Sequence, residues 1–175
     1  MEENKLLVVV DMQNDFVNGV LGTEQARSIV PDVVNAVSKS NMVVFTFDTH
    51  SSDYLKTQEG NKLPIEHCLI GTKGHELIDE LSVLQGDAFG IIKNTFGSVQ
   101  LGSFVKEQVE QGIIDTVEIM GVCTDICVIS NALLIKAFCP EVKIIVNAKC
   151  CAGTTPEAHK NALNAMKNCQ IDIVY

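Results

Sequence analysis

The feature that most constrains this chain is the run Lys5-Leu-Leu-Val-Val-Val-Asp11, an unbroken aliphatic stretch too short for a helix and ended by an acid. A strand without alternation is buried on both faces, as at the centre of a parallel sheet. Its carboxyl end then carries Asp11. Asn41-Met-Val-Val-Phe-Thr-Phe-Asp48 reads as a second strand and also ends in an acid. Phe89–Lys93, Thr116–Met120, Val142–Asn147 and Ile171–Val174 read as further short strands. Helical spacing fills the intervals at Ile29–Ser40, Glu76–Leu81, Leu101–Val109, Cys127–Ala137, and from Pro156 to about Lys167. Pro31 fits a first turn, where its missing N–H is not needed. Alternation of this kind predicts an α/β fold with a parallel sheet and helices on both faces, because right-handed crossovers must cover both sides.

No repeat or low-complexity segment divides the 175 residues, and a 46% hydrophobic content is enough for one full core, so residues 1–175 are expected to form a single domain. The formal charge of −9 repels phosphate backbones and anionic lipid, which argues against nucleic-acid and membrane partners. No apolar stretch approaches the roughly 20 residues needed to span a bilayer. The first residues, Met1-Glu-Glu-Asn4, are acidic where a signal peptide would be basic, so a cytoplasmic protein is expected. Seven scattered cysteines, an odd number, indicate neither a disulfide framework nor a zinc knuckle, and most are expected to be reduced core thiols.

Ligands of open parallel sheets bind outside the carboxyl ends of the strands, which directs attention to Asp11, Asp48, Lys93 and the turn from Cys123 to Cys127. In Glu118-Ile-Met-Gly-Val-Cys-Thr-Asp-Ile-Cys-Val128, an apolar run ends at Gly121, and Thr124 and Asp125 are N-cap types before a helix. Cys127 then sits in a first helical turn, where the dipole favours a thiolate; the alternative is a small buried hydrophobe. An acid, an ammonium and a thiol at neighbouring strand ends form a plausible nucleophilic set: Asp11 takes the thiol proton, Cys127 attacks and Lys93 balances the charge. Taken singly, Asp11 reads equally as a turn-forming acid and Lys93 as a solvated edge lysine.

The segment Thr49–Thr72 is polar, aperiodic and long for a loop in a compact domain, which usually signals function. Asp48, His50, Glu59 and His67 place two carboxylates and two imidazoles in or beside it, a mixture that suits a borderline divalent ion such as zinc, manganese or iron. Asp48 and His50 are two apart and point the same way if the chain is extended. His75 and His159 lie in or beside helical segments and read as surface or capping residues.

Asp11-Met-Gln-Asn-Asp-Phe16, Lys93-Asn-Thr-Phe96 and Gly121-Val-Cys-Thr-Asp-Ile-Cys127-Val resemble, in order and spacing, three regions of the isochorismatase-like cysteine hydrolases, and within them the nicotinamidases. The resemblance implies a three-layer α-β-α sandwich around a Rossmann-like, mostly parallel sheet of about six strands. It makes Asp11 the general base, Lys93 the second triad member and Cys127 the nucleophile. Backbone N–H groups of Cys123 and Cys127 form the oxyanion hole, with a non-proline cis peptide between Val122 and Cys123. A divalent metal is implied as cofactor, with Asp48 and His50 matching the family's Asp-x-His pair. His67 is a third ligand and Glu59 the fourth, with Asp53 as its rival. Phe16 and Leu21 line the implied pocket. Leu63 stands where the family carries an aromatic, a loss worth about 0.5–1.5 kcal/mol of ring binding. The implied partner is a small-molecule amide such as nicotinamide, hydrolysed through a thioester, and a homo-oligomer is compatible with the resemblance. Runner-up readings are an isochorismate-type or N-carbamoyl hydrolase, against which Cys127 and the Asp-x-His pair speak, and a thiol sensor on the same fold.

Overall fold

The fold was analysed in a computed structural model that describes residues 4–86 and 88–175. From the amino end, β1 (Lys5–Val10) leads through the short helices α1 (Asn14–Val17) and α2 (Glu24–Ser28) into α3 (Val30–Ser38) and β2 (Val43–Asp48). A single turn of helix, α4 (Gln58–Lys62), interrupts the long loop before α5 (Asp79–Gln85) and β3 (Phe89–Lys93). The second half runs α6 (Val99–Glu110), β4 (Thr116–Val122), α7 (Ile129–Phe138), β5 (Lys143–Ala152), α8 (Pro156–Asn168) and β6 (Asp172–Val174).

The six strands form one sheet in the order β3-β2-β1-β4-β5-β6, and every neighbouring pair is parallel, so the sheet is wholly rather than mostly parallel. Strand order grows outward in opposite directions from β1 and β4. Crossovers of one hand therefore lay α3 and α5 on one face and α6, α7 and α8 on the other. The packing agrees, since α3 contacts α2 and α5 whereas α7 contacts α6 and α8. β1 lies at the centre, with Leu6 to Val10 all buried. Each such side chain contributes roughly 1.5–3 kcal/mol relative to exposure, which is why the most aliphatic run occupies the middle.

Several boundaries differ from the sequence expectation for identifiable reasons. β5 does not stop at Asn147 but continues to Ala152 through an irregularity in which Ile119 pairs with Val146 while Gly121 pairs with Cys151. Bulged residues need not follow an aliphatic pattern, so Asn147 and Lys149 conceal the continuation. The expected helix Ile29–Ser40 is α3 (Val30–Ser38), and a short α2, in a stretch that reads as loop in the sequence, precedes it, capped by Thr23 through a bond from Ala26 N. α6 starts two residues earlier than its apolar periodicity, because Ser98 accepts from Leu101 N as its cap. Within the loop, Thr57 likewise caps α4 through Gly60 N, a turn too short to leave a period. The seven cysteines are unpaired: five are buried, Cys123 is half-buried and Cys169 is exposed. Among the described residues, no helix is long and apolar enough to cross a membrane.

At Gly121 the backbone of β4 lies against that of β1 with no room for a side chain. Its φ is +116°, and a Cβ there would lie 2.1 Å from the Val10 carbonyl oxygen. Gly112 also has positive φ, at +69°, but a Cβ there meets nothing within 4 Å. Gly121→Ala should therefore destabilise by about 3 kcal/mol, adding overpacking to backbone strain, and lower the melting temperature by about 6–12 °C. Gly112→Ala should cost only about 1–2 kcal/mol, since backbone strain acts alone. Equal melting temperatures for the two variants would contradict this account of the β1–β4 contact.

Candidate active site

The strand order reverses between β1 and β4, and the carboxyl ends of parallel strands at such a switch point leave a crevice. Four strand ends meet there. Asp11 follows β1 in a left-handed conformation, φ +48°, which an aspartate tolerates better than most residues. Its side chain is fully buried. Oδ1 accepts from Thr46 Oγ1 at 2.6 Å, and the Asp11 N–H donates to the same hydroxyl at 3.2 Å. Oδ2 lies 2.6 Å from Lys93 Nζ as a buried ion pair. Lys93 ends β3 beside its register partner Asp48 at the end of β2. The same Nζ is 3.3 Å from Asp48 Oδ1 and 3.5 Å from Cys127 Sγ.

These contacts set the protonation states. Burial alone would lower Lys93, but Asp11, Cys127 and Asp48 overcome it and hold the ammonium charged well above its ordinary range. Burial pushes Asp11 up, Lys93 opposes that, and Asp48 adds to it. Burial likewise raises Cys127 far above an ordinary thiol, Asp11 adds to the rise, and Lys93 only partly offsets it. The expectation that the helix dipole favours a thiolate at Cys127 is thus corrected. Cys127 rests as a thiol, because depth and the nearby Asp11 carboxylate outweigh the dipole.

The turn that carries this thiol differs from a capped α-helix. Thr124–Val128 is a π-helical turn in which Val128 N and Ile126 N both donate to the Cys123 carbonyl, and α7 begins only at Ile129. Neither Thr124 nor Asp125 caps it. Asp125 instead accepts from Thr154 N at 2.8 Å and from Thr154 Oγ1 at 2.6 Å, pinning the turn to the β5–α8 junction. Thr124 Oγ1 is 2.8 Å from His159 Nδ1, so that imidazole is half-buried rather than a free surface group. His75 is similar, with Nε2 2.8 Å from Thr49 Oγ1. The peptide between Val122 and Cys123 is cis. Burial, and to a smaller degree Asp125 and Asp11, push the Cys123 thiol up to about 12.

Beside this group lies a cluster of imidazoles and carboxylates. One ligand atom from each of Asp48, His50 and His67 lies within 4.8 Å of the others, and all three residues are buried. His50 Nε2 is 2.8 Å from Asp48 Oδ2, and His67 Nε2 is 3.5 Å from the same oxygen. His67 Nδ1 is 2.8 Å from the Ile65 carbonyl, to which it donates, and this fixes the tautomer that presents Nε2 to the cluster. Glu59 Oε1 stands 3.8 Å from His50 Nε2 and 3.7 Å from His67 Nε2. Asp53 is exposed and accepts from Ser51 Oγ instead, away from both imidazoles. Two imidazole nitrogens and two carboxylates fit a borderline divalent ion. Asp48 is strongly acidic here: burial opposes its ionisation, but bonds from His50 and His67 and the Lys93 charge prevail.

Three supporting residues carry no signal of their own in the sequence. Buried Gln13 donates through Nε2 to the Asp48 and His75 carbonyls and accepts the Asp48 N–H at Oε1, all at 2.8 Å, so it clamps the end of β2. Thr46 is one more polar residue in a buried strand until Asp11 is placed beside it. Tyr54 packs its ring 4.7 Å from His50 and 5.0 Å from His67, with its hydroxyl donating to the Leu63 carbonyl. A cavity of about 850 Å³ opens onto the imidazole cluster and the Cys127 turn. Phe16, Leu21 and Leu63 line it, as do Asp48, His50, Glu59, His67, Cys123 and Cys127. Phe96 and Ile126 complete an apolar wall that the sequence reading did not assign.

Known proteins of this shape carry related names. The nicotinamidase/pyrazinamidase of Bacillus subtilis superposes with a TM-score of 0.83 at 27% identity, covering 98% of this chain and 100% of that one. The pyrazinamidase of Pyrococcus horikoshii, solved in complex with zinc, gives a TM-score of 0.80 at 27% identity, with 98% of both chains covered. In sequence, a protein of Arabidopsis thaliana described as a probable inactive nicotinamidase is 29% identical over 94% of this chain and 89% of its own length. The isochorismatase domain model matches residues 5–174, and the chain belongs to that family.

Proposed function

We propose that this chain is a metal-dependent amidohydrolase of the nicotinamidase type, converting nicotinamide or a related small carboxamide to the acid and ammonia through a thioester on Cys127. One observation carries the reading: a single buried ammonium, Lys93 Nζ, touches the Asp11 carboxylate and joins two groups that line one cavity, the Cys127 thiol and the Asp48 edge of a metal-type cluster. One relative is a probable inactive nicotinamidase, so support for activity comes from this chain's own contacts. A cavity of about 850 Å³ is in the range that holds small molecules.

Asp11 takes the proton of Cys127, and Sγ adds to the carboxamide carbon. The resulting oxyanion is held by the backbone N–H groups of Cys123 and Cys127. Asp11 returns its proton to the departing nitrogen, the C–N bond breaks and ammonia leaves. Water, deprotonated by Asp11, then cleaves the thioester and restores the thiol. Lys93 keeps the carboxylate close and balances the charge throughout. Asp48, His50, His67 and Glu59 would hold the divalent ion, with zinc, manganese and iron as candidates, and when bound it supplies a Lewis-acidic centre that orients the substrate ring. Phe16 offers an aromatic face to that ring, and Leu21, Leu63 and Phe96 supply further apolar surface. A thiol sensor is disfavoured, because sensing cysteines are exposed and acidic whereas Cys127 is neither.

Cys127→Ala should abolish ammonia release, while Cys123→Ala retains most of it, because only the backbone of residue 123 is used. Equal losses would mean that the wrong cysteine has been assigned. His50→Ala should lower metal content by elemental analysis and raise KM, whereas Asp53→Ala should change neither; retention of metal by the His50 variant would remove this cluster from the reading. The pH profile offers an independent check. Asp11 must be ionised to act as base, so kcat/KM should fall as pH drops through its raised pKa, above the ordinary 3.8. Thr46→Val removes a bond that favours the ionised form and should move this acid limb towards neutral pH. A limb that stayed in place or moved down would exclude Asp11 as the base.

A further inference from the structure

Asn131 is a fully buried amide inside α7, one turn after Cys127, where its neighbours Ala132 and Ile135 are apolar. Asparagine is a poor helix former, and a buried amide costs free energy unless it is bonded. This one is bonded three times. Nδ2 donates to the Cys127 carbonyl at 2.8 Å and to the Phe96 carbonyl at 3.2 Å, and Oδ1 accepts the Ser98 N–H at 2.8 Å. Ser98 in turn caps α6 through Leu101 N. One side chain thereby joins the turn that carries the thiol to the loop between β3, whose last residue is Lys93, and α6. That loop also supplies Phe96 to the cavity wall.

We infer that Asn131 is the positioning residue that fixes the Cys127 turn against the Lys93–Ser98 loop, setting thiol, ammonium and the Phe96 wall in one register. The inference rests on the amidase reading for its consequence in catalysis but not for its physical content. A π-helical turn lacks the regular i→i−4 ladder, so the Cys127 carbonyl gains more from a side-chain donor than it would inside an α-helix. The other two bonds satisfy backbone groups of a loop that has neither strand nor helix to pair them.

The test compares alkylation of Cys127 by iodoacetamide, resolved by peptide mass spectrometry, in the full chain and four variants. Asn131→Leu removes all three bonds. Asn131→Asp keeps the acceptor for Ser98 but loses both donor bonds, and Asn131→Thr restores a bond to the i−4 carbonyl, that of Cys127. Val33→Ala, a core variant on the opposite face of the sheet, controls for general loosening. Asn131→Leu and Asn131→Asp should raise the Cys127 rate about threefold or more through local opening of the turn, with Asn131→Thr closer to the parent. Should Asn131→Leu fail to fold, the Asp and Thr variants still decide the matter by their order. Rates for Leu and Asp that match the parent, or an equal rise in Val33→Ala, would overturn the inference. In parallel, kcat for ammonia release should fall about tenfold in Asn131→Asp, as expected for a misplaced nucleophile. A parent that hydrolyses no carboxamide would defeat the amidase reading and leave the alkylation comparison standing.

Discussion

The buried ammonium of Lys93 is the interaction on which the rest of this site depends. A lone charge at that depth would cost several kcal/mol, and it persists only because Asp11 and Asp48 approach within 2.6 and 3.3 Å. The converse holds for the carboxylates, which would otherwise repel one another in a medium of low dielectric. Asp48 serves two sides at once, with Oδ1 towards Lys93 and Oδ2 towards His50 and His67. Any change in how the imidazole cluster draws on Asp48 is thus felt at Lys93, and through it at Asp11 and Cys127.

Topology makes this concentration of charge possible. In a wholly parallel sheet every carboxyl end faces the same edge, and the reversal of order at β1 and β4 keeps the loops there from covering it. Asp11, Asp48, Lys93 and the Cys127 turn come from positions up to 116 residues apart, yet each is delivered by the last residue of a strand or the step just after it. The register of β2 against β3 sets Asp48 opposite Lys93 directly. The approach of β1 to β4, which Gly121 allows, sets the Cys127 turn beside Asp11. Gln13 and Thr46 then lock the carboxylates from behind, using bonds that strand geometry alone does not supply.

Much of this is legible in the sequence, and the parts that are not share a cause. Unalternating runs that end in a polar residue reveal β1 and β2, because burial on both faces leaves little other composition. β3, at the sheet edge with Phe89 and Ile92 exposed, shows only as a short apolar run before Lys93. The loop cluster is visible because two imidazoles and two carboxylates rarely gather without reason. What escapes is whatever depends on depth or on irregular backbone. β5 beyond Asn147 follows a bulge rather than a period, and α4 is a single turn. Gln13, Thr46 and Phe96 acquire roles only through neighbours distant in the chain. The protonation of Cys127 is misjudged from sequence for the same reason: a helix start suggests a dipole, but the outcome is decided by burial and by Asp11, neither of which is a local property.

That correction changes how the chemistry is to be understood. A thiolate prepared in advance would leave its proton to solvent, and the departing nitrogen would then need another source. Here the site holds the proton on sulfur, and the nearest base is a carboxylate whose own affinity is raised by burial. Transfer from Cys127 to Asp11 moves the proton between two groups that both hold it more firmly than they would in water. The ammonium beside them favours the charge on either one. On the proposed amidase reading, the charge moves between two groups that share one counterion, and the proton would stop on Asp11, beside the nitrogen that leaves as ammonia. Lys93 contributes by standing within reach of both partners, so that neither position of the negative charge is left buried without a counterion.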